Sequence, residues 1–132
     1  MAILDASVLV NGLVRAGIEG QLARTEMRNY TFLTVPAIFG AEATSALRTL
    51  VLRGSLDPIR ALGAIRQIRS IRLIQYPFEP FISRVWELRN TMTTYDGWYV
   101  ALAESLGTEL VTADQKLAES SGSRAPIRFL GA

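Results

Sequence analysis

Four acidic residues stand along the chain at places from which they could act together: Asp5, Glu42, Asp96 and Asp114. Asp5 and Asp114 each follow a short apolar segment that predicts a buried strand, while Glu42 and Asp96 fall near the starts of two predicted helices. In an open parallel sheet, ligands collect beyond the carboxyl ends of the strands. We therefore expect the four carboxylates to converge at that edge of the sheet.

The absence of histidine and cysteine limits what such a cluster could bind, because only oxygen ligands are left. Converging carboxylates repel one another and raise each other's pKa values unless a cation lies among them. Oxygen ligands select Mg²⁺ or Mn²⁺ over zinc, and such an ion activates water for attack on a phosphodiester bond. The pattern predicts a metal-dependent hydrolase with one or two of these ions.

Each of the four acids also has an ordinary structural interpretation. Asp5, Asp96 and Asp114 stand where helices begin and are candidates for their N-caps. Glu42 by itself is more typical of an exposed helical glutamate than of a ligand. The metal-site interpretation therefore depends on the four residues taken together, and three of the four aspartates in the chain belong to this set.

The elements that would position these acids alternate between strands and helices. Apolar and β-branched runs predict strands at 2–5, 30–35, 71–76, 109–112 and 127–130. Helical periodicity predicts helices that begin at 6, 36, 59, 79, 93–96 and 114; the second and fifth stop at Gly54 and Gly107, and the fourth extends to residue 90. Asp57, which precedes Pro58, is the predicted N-cap of the third helix, and Thr93, Thr94 or Asp96 is that of the fifth. This alternation predicts an α/β fold with a mostly parallel central sheet of four to five strands, covered on both faces.

Length and composition predict one domain over residues 1–132, since 49% of the 132 residues are hydrophobic and can form a single core. No segment approaches the roughly 18 to 20 apolar residues of a membrane-spanning helix. No basic region precedes the first apolar run, which argues against a signal peptide. We therefore expect a soluble, cytoplasmic protein.

The motifs around the four acids resemble the PIN-domain family and, within it, the VapC-type toxin ribonucleases of toxin–antitoxin systems. The first motif is the run from Ile3 to Val10, and the second is the helical run from Glu42 to Arg48. The most specific is the stretch from Tyr95 to Ala118, which contains the last two acids. The resemblance spans nearly the whole chain.

The resemblance implies a PIN-like α/β/α sandwich and an endoribonuclease that is the toxin of a VapBC-type pair. It implies a Mg²⁺ or Mn²⁺ site, a homodimer, and a small antitoxin that covers the site. By position, it assigns the catalytic and metal-binding roles to Asp5, Glu42, Asp96 and Asp114. It assigns supporting roles to Ser7 and Thr112.

Arginine side chains are candidates for contacts with RNA. Thirteen of the fourteen basic residues are arginines, and the planar guanidinium suits phosphate. Arg60, Arg66 and Arg69 lie along one predicted helix and are candidates for phosphate binding. A solvated face or an antitoxin-binding edge is an equally good interpretation of these three residues.

Three aromatic residues adjoin the third acid, Asp96. Tyr95, Trp98 and Tyr99 could stack on an unpaired RNA base. For Trp98 we favour packing in the core, because large aromatic residues beside an apolar helical stripe are usually buried.

Other protein classes fit parts of the pattern. The chief alternative is a non-catalytic PIN-like module that binds RNA or protein and would not require four acids. A phosphoacceptor receiver domain would need an acidic pair beside the first strand, where this chain has Asp5 alone. A phosphatase of the haloacid dehalogenase type would have an aspartate at position 7, where this chain has Ser7. The complete set of four acids favours the ribonuclease.

Overall fold

The computed structural model describes residues 1–131 and shows five strands and seven α-helices in that range. The strands are β1 (Ala2–Leu4), β2 (Leu33–Pro36), β3 (Leu73–Tyr76), β4 (Glu109–Thr112) and β5 (Ile127–Phe129). The helices are α1 (Ala6–Val14), α2 (Gly17–Met27), α3 (Phe39–Leu52), α4 (Pro58–Ser70), α5 (Ile82–Glu87), α6 (Thr94–Ser105) and α7 (Gln115–Ala118).

All strand pairs are parallel. β4 lies between β1 and β5, with Leu110 opposite Ile3 on one side and Ile127 on the other. β2 pairs with β3, and Leu33 lies opposite Leu73. β2 also lies beside β1, but no strand pairing joins the two, so the spatial order is β3-β2-β1-β4-β5. The predicted parallel sheet is confirmed, with an interruption between β1 and β2.

Helices cover both faces of this sheet. Neighbouring residues of a strand point to opposite faces, yet Ile3 and Leu4 of β1 are both buried, as are Leu110 and Val111 of β4. Burial on both sides is what an α/β/α sandwich requires. Helix α6 packs across β1, β2 and β4, while α1 packs against β4 and α3.

Most predicted helix signals are confirmed. Asp57 caps α4 by accepting a hydrogen bond from the Ile59 N–H at 2.7 Å. Thr93 caps α6, because its hydroxyl accepts from the Asp96 N–H at 3.1 Å. Gly107 then ends α6 with a φ of 63°, a conformation that favours glycine. Asp96 is therefore not the cap of α6, and its carboxylate is not used for capping this helix.

Two predicted boundaries around the second strand were wrong. The strand begins at Leu33 rather than at residue 30, and Pro36 is its last residue rather than the first of a helix. A proline can be the last residue of a paired strand because it lacks an N–H donor but keeps its carbonyl acceptor. Here Pro36 lies opposite Tyr76 of β3. Helix α3 accordingly begins at Phe39.

The helix predicted over 79–90 is shorter and divided. Residues Glu79–Phe81 form a 3-10 turn that contains Pro80, and α5 ends at Glu87. The other predicted ends of elements move by one or two residues, which is the usual uncertainty at helix and strand ends.

Helix α2 was not predicted at all. Gly17 and Gly20 lower its helix propensity, and the residues that it buries are Gly20, Ala23 and Glu26 rather than large apolar residues. Its apolar periodicity is therefore weak. None of the helices within residues 1–131 combines the length and apolar character needed to span a bilayer.

Candidate functional site

Asp5 lies at the carboxyl end of β1 and is the N-cap of α1. Only 6% of its surface is exposed. Its carboxylate accepts hydrogen bonds from the Ser7 N–H at 3.0 Å and from the hydroxyls of Ser7 and Thr112. Burial raises the pKa of Asp5, and these two hydroxyls partly oppose the increase. Asp5 is thus both the N-cap of α1 and a residue of the predicted site.

Ser7 and Thr112 join the ends of β1 and β4. The Ser7 hydroxyl oxygen accepts from the Ala113 N–H at 3.0 Å, and the Thr112 hydroxyl oxygen accepts from the Asp114 N–H at 3.0 Å. Thr112 is fully buried, so the hydroxyl has to find its partners within the protein. These bonds hold the segment that carries Asp114 in place relative to Asp5.

Asp114 follows β4 and caps α7. One carboxylate oxygen, Oδ1, accepts from the Lys116 N–H at 3.0 Å. The other, Oδ2, has no hydrogen-bond partner within the described part of the chain, and the residue is exposed. Asp114 can therefore cap its helix and still offer an oxygen to a ligand.

Glu42 lies in the first turn of α3 and carries the clearest unsatisfied group of the site. Its Oε1 is buried and has no hydrogen-bond partner among residues 1–131. The buried Tyr99 hydroxyl lies near enough to affect the pKa of Glu42 but does not meet hydrogen-bond geometry. Burial raises the pKa of Glu42, and the charges of Asp96 and Asp5 raise it further.

Asp96 completes the group at the start of α6. Burial raises the pKa of Asp96, and the charge of Asp114 adds to this effect, while Thr93 and Lys116 lower it. The charges of Asp5 and Asp96 raise the pKa of Glu42, and the charge of Asp114 raises the pKa of Asp96. The four acids are therefore connected electrostatically at the carboxyl edge of the sheet. We call this set the carboxylate cluster.

The donor atoms of the carboxylate cluster fit a hard divalent cation. All are oxygens, and Mg²⁺ and Mn²⁺ prefer oxygen ligands. The raised pKa values of Asp5, Glu42 and Asp96 mean that negative charge is unfavourable there, and a cation would offset that cost. As placed, however, no three acidic side chains within residues 1–131 are gathered tightly enough to hold an ion. The four metal-ligand assignments stay predictions.

Two clefts flank the carboxylate cluster. The first, the Tyr95 cleft, has a volume of about 300 Å³ and is lined by Ile38, Ala41, Glu42, Ser45 and Tyr95. The second, the α1–β5 cleft, has a volume of about 420 Å³, and its lining includes Asn11, Arg15, Glu19, Ala113, Gln115 and Leu130. A larger cleft of about 1090 Å³ beside α5 and the end of α6 contains none of the four acids.

The candidate RNA-binding arginines do not share one face. Arg60, Arg66 and Arg69 are all exposed on α4. At about 100° per residue, Arg60 and Arg69 project about 180° apart around the helix. The Arg60 guanidinium also donates to the Val14 carbonyl at the end of α1, at 3.3 Å. The structure thus brings none of the three to the carboxylate cluster by a direct contact.

The aromatic residues beside Asp96 divide into buried and exposed ones. Trp98 is 8% exposed and packs edge to face on Phe78, with ring centroids 5.1 Å apart, which confirms its predicted place in the core. Tyr99 is buried as well. Tyr95 is 54% exposed, so it is the aromatic ring that can meet a ligand.

The predicted site residues do not include Asn11 and Arg15, which line the cleft next to the cluster. One signal was present in the sequence, because Asn11 interrupts the apolar run from Ala6 to Val14. A polar side chain inside an otherwise apolar helix usually has a hydrogen-bond partner or a functional role.

We expect Glu42→Gln to raise the melting temperature of the protein in EDTA, with a gain that grows as pH rises. The pKa of Glu42 is raised in the folded state, so the native protein binds this proton more tightly than the unfolded chain does. The contribution of Glu42 to the free energy of unfolding is therefore fully present below its unfolded-state pKa of about 4.3. This contribution is lost as pH rises through the pKa of Glu42 in the folded protein.

Melting curves of the wild type and of Glu42→Gln between about pH 4 and about pH 8 test this expectation. Glu87→Gln, a change at an exposed glutamate of α5, is the matched control. A gain from Glu42→Gln that is the same at every pH would show that ionisation of Glu42 is not its cause.

Comparison with known proteins agrees with the observed fold. The family model described as PIN domain matches residues 2–122. Ribonuclease VapC12 of Mycobacterium tuberculosis is 36% identical over 130 residues, which cover 98% of this chain and 99% of that protein. Ribonuclease VapC9 of the same species is 35% identical over 127 residues, 96% of each chain.

A solved structure supports the same fold. The crystal structure of PAE2754 from Pyrobaculum aerophilum superposes with a TM-score of 0.66 at 23% identity and covers 96% of this chain and 87% of that one. The resemblance found in the sequence motifs is thus confirmed by similarity over nearly the full length. The chain belongs to the PIN-domain family, and the relatives that it matches from end to end are named VapC ribonucleases.

Proposed function

We propose that this chain is a Mg²⁺- or Mn²⁺-dependent endoribonuclease and the toxin of a VapBC-type toxin–antitoxin pair. The observation that carries the proposal is the carboxylate cluster, in which strand ends and helix starts bring four acids to one edge of the sheet. The names of the relatives support RNA as the substrate. We take residues 1–132 as one nuclease domain.

The four acids would hold one or two ions, and the surroundings of each carboxylate support that role in a different way. Bound Mg²⁺ or Mn²⁺ supplies an activated water molecule and positive charge beside the phosphate. Asp5 is oriented by two hydroxyls, which limits its motion. Glu42 offers a buried oxygen without a partner. Asp96 is released from capping by Thr93, and Asp114 keeps one carboxylate oxygen unused.

Cleavage of a mixed RNA pool by the purified, antitoxin-free protein tests the proposal. We expect cutting with Mg²⁺ or Mn²⁺ and none with EDTA, because the reaction needs the cation among the carboxylates. The ends of the products, read by sequencing, would define the cut sites. RNA that is bound but never cut, at any metal concentration, would replace the proposal with the non-catalytic RNA-binding module.

We propose that the Tyr95 cleft receives an unpaired base of the RNA. Tyr95→Ala should raise KM for single-stranded RNA roughly fivefold or more, since base stacking on an aromatic ring contributes about 1–3 kcal/mol. Tyr95→Phe is the matched control because it keeps the ring and should retain the KM of the wild type. Equal KM values for the alanine variant and the wild type would remove Tyr95 from the RNA path.

Arg60, Arg66 and Arg69 are proposed to contact RNA phosphates outside the cluster. Their exposure and their guanidinium chemistry support this role. Because they project to different sides of α4, we expect at most two of them to contact one strand of RNA at a time.

The proposed antitoxin would place an apolar helix face in the groove between α3 and α4. This groove has a volume of about 350 Å³, and its lining includes Leu47, Val51, Leu62 and Ile65. Leu52, which also lines the groove, and Ile59, which follows the lining residue Pro58, are 68% and 81% exposed, which is typical of a surface that a partner covers. We also propose a homodimer, the commonest oligomer of soluble proteins, and a cytoplasmic site of action, where the RNA is.

A further inference from the structure

A polar line runs along one side of α1, a helix that is otherwise apolar. Six of its nine residues are buried, and the other three are Ser7, Asn11 and Leu13. Ser7 and Asn11 are four residues apart, and Arg15, the C-cap residue, follows four residues later. Side chains with this spacing lie above one another on a helix. Because Ser7 contacts Asp5, the line begins at the carboxylate cluster.

Within the described part of the chain, no hydrogen bond or ion pair engages the side chains of Asn11 and Arg15. Asn11 takes part in helix bonding only through its backbone, and its carbonyl accepts from the Arg15 N–H at 3.0 Å. Asparagine is unfavourable inside a helix because its amide competes with the backbone. The ion pairs among residues 1–131 involve Arg84 and Arg128 and not Arg15. An amide and a guanidinium are therefore both available to a ligand.

Both groups face the α1–β5 cleft, which borders the carboxylate cluster. Ala113 lines this cleft, lies directly before Asp114, and donates its N–H to the Ser7 hydroxyl at 3.0 Å. Asn11 is about 6 Å further along the helix than Ser7, by the rise of 1.5 Å per residue. The volume of about 420 Å³ falls in the range of small-ligand sites, about 300 to 1,000 Å³.

The lining of the cleft indicates what it would bind. Arg15 is its cationic side chain, and Glu19 lines the same cleft without forming an ion pair with it. The amide of Gln115 donates to Glu119 at 2.9 Å, which leaves Asn11 as the unengaged amide. A guanidinium fits phosphate oxygens, and an amide presents the paired donor and acceptor that base edges match. This combination of side chains is chemically suited to a nucleotide.

We propose that the α1–β5 cleft holds the nucleotide next to the cleaved bond, with Arg15 on its phosphate and Asn11 on the edge of its base. The proposal rests on the proposed ribonuclease function and adds to it a source of sequence preference. Single-stranded RNA would then cross the carboxylate cluster, and the cleft would read the nucleotide on the α1 side.

Binding of a single-stranded RNA oligonucleotide tests the phosphate contact separately from cleavage. All variants carry Asp96→Asn, so that the RNA stays intact. Arg15→Gln should weaken binding about tenfold, the effect of about 1.4 kcal/mol for one charged contact. It should also reduce the slope of log K against log salt by about 0.7, the value for one phosphate on a single strand. Arg28→Gln, an exposed arginine at the end of α2, is the matched control and should change neither.

The base contact is tested on the active chain by sequencing the cut ends of an RNA pool. Asn11→Ala should remove the base preference at one position beside the cut, as read from the ends of the products that still form. Arg15→Gln that behaves like Arg28→Gln, together with unchanged cut sites for Asn11→Ala, would overturn the proposal and leave the ribonuclease function standing. If the wild type cuts no RNA, the function fails, and the binding measurement alone still decides whether the cleft holds a nucleotide.

Discussion

RNA cleavage by the Asp96→Asn variant should fall about a thousandfold, because one charged member of the carboxylate cluster becomes neutral without a change of size. The Asp96→Asn variant should keep the fold of the wild type. Thr93 rather than Asp96 caps α6, so the amide disrupts no helix bond. Burial already raises the pKa of Asp96, which means that its charge is unfavourable in the folded protein without a cation. We therefore expect the variant to melt no lower than the wild type in EDTA.

The matched control for this experiment is Asp57→Asn. Asp57 caps α4 through the Ile59 N–H, and asparagine caps a helix about as well as aspartate does. The same chemical change outside the cluster should leave cleavage and melting almost unchanged. Full cleavage by Asp96→Asn would remove Asp96 from the site, and equal losses in both variants would indicate a defect of folding rather than of chemistry.

The Glu26→Ala variant should lose about 2 to 3 kcal/mol of unfolding free energy, somewhat less than the roughly 3–5 kcal/mol for breaking a fully buried ion pair. The Glu26 carboxylate on α2 accepts hydrogen bonds from Nη1 and Nη2 of Arg128 on β5, each at 2.9 Å, and from the Tyr30 hydroxyl at 2.7 Å. The Glu26 side chain is 7% exposed. The Arg128 side chain is 42% exposed, so water can partly replace its lost partner.

Thermal melting at neutral pH should show this loss as a decrease of about 10 °C. Glu109→Ala removes a second, 34% exposed partner of the same arginine and should cost less than about 1 kcal/mol. The hydrogen bonds from Arg128 lower the pKa of Glu26, so its contribution is present at neutral pH and is lost as pH falls through that lowered pKa. Equal effects of the two substitutions would show that burial of Glu26 does not set the strength of this pair.

Local sequence signals predict the types of most elements and the places of the four acids within them. Asp57 and Gly107 marked helix ends correctly, because caps and left-handed glycines act through bonds within a few residues. The position of Asp5 after β1 followed from a short apolar run in the same way. Such features depend on neighbours along the chain, so a single sequence contains the information that predicts them.

Contacts between groups that are distant in sequence depend on how the whole chain folds. Helix α2 carries weak signals of its own and is held by packing against α1 and by the pair of Glu26 with Arg128, which are 102 residues apart in sequence. The unpartnered oxygen of Glu42 and the cleft beside Asn11 also arise from the way separate elements pack. Contacts of this kind depend on the burial and relative placement of whole helices and strands, which local periodicity and capping do not encode.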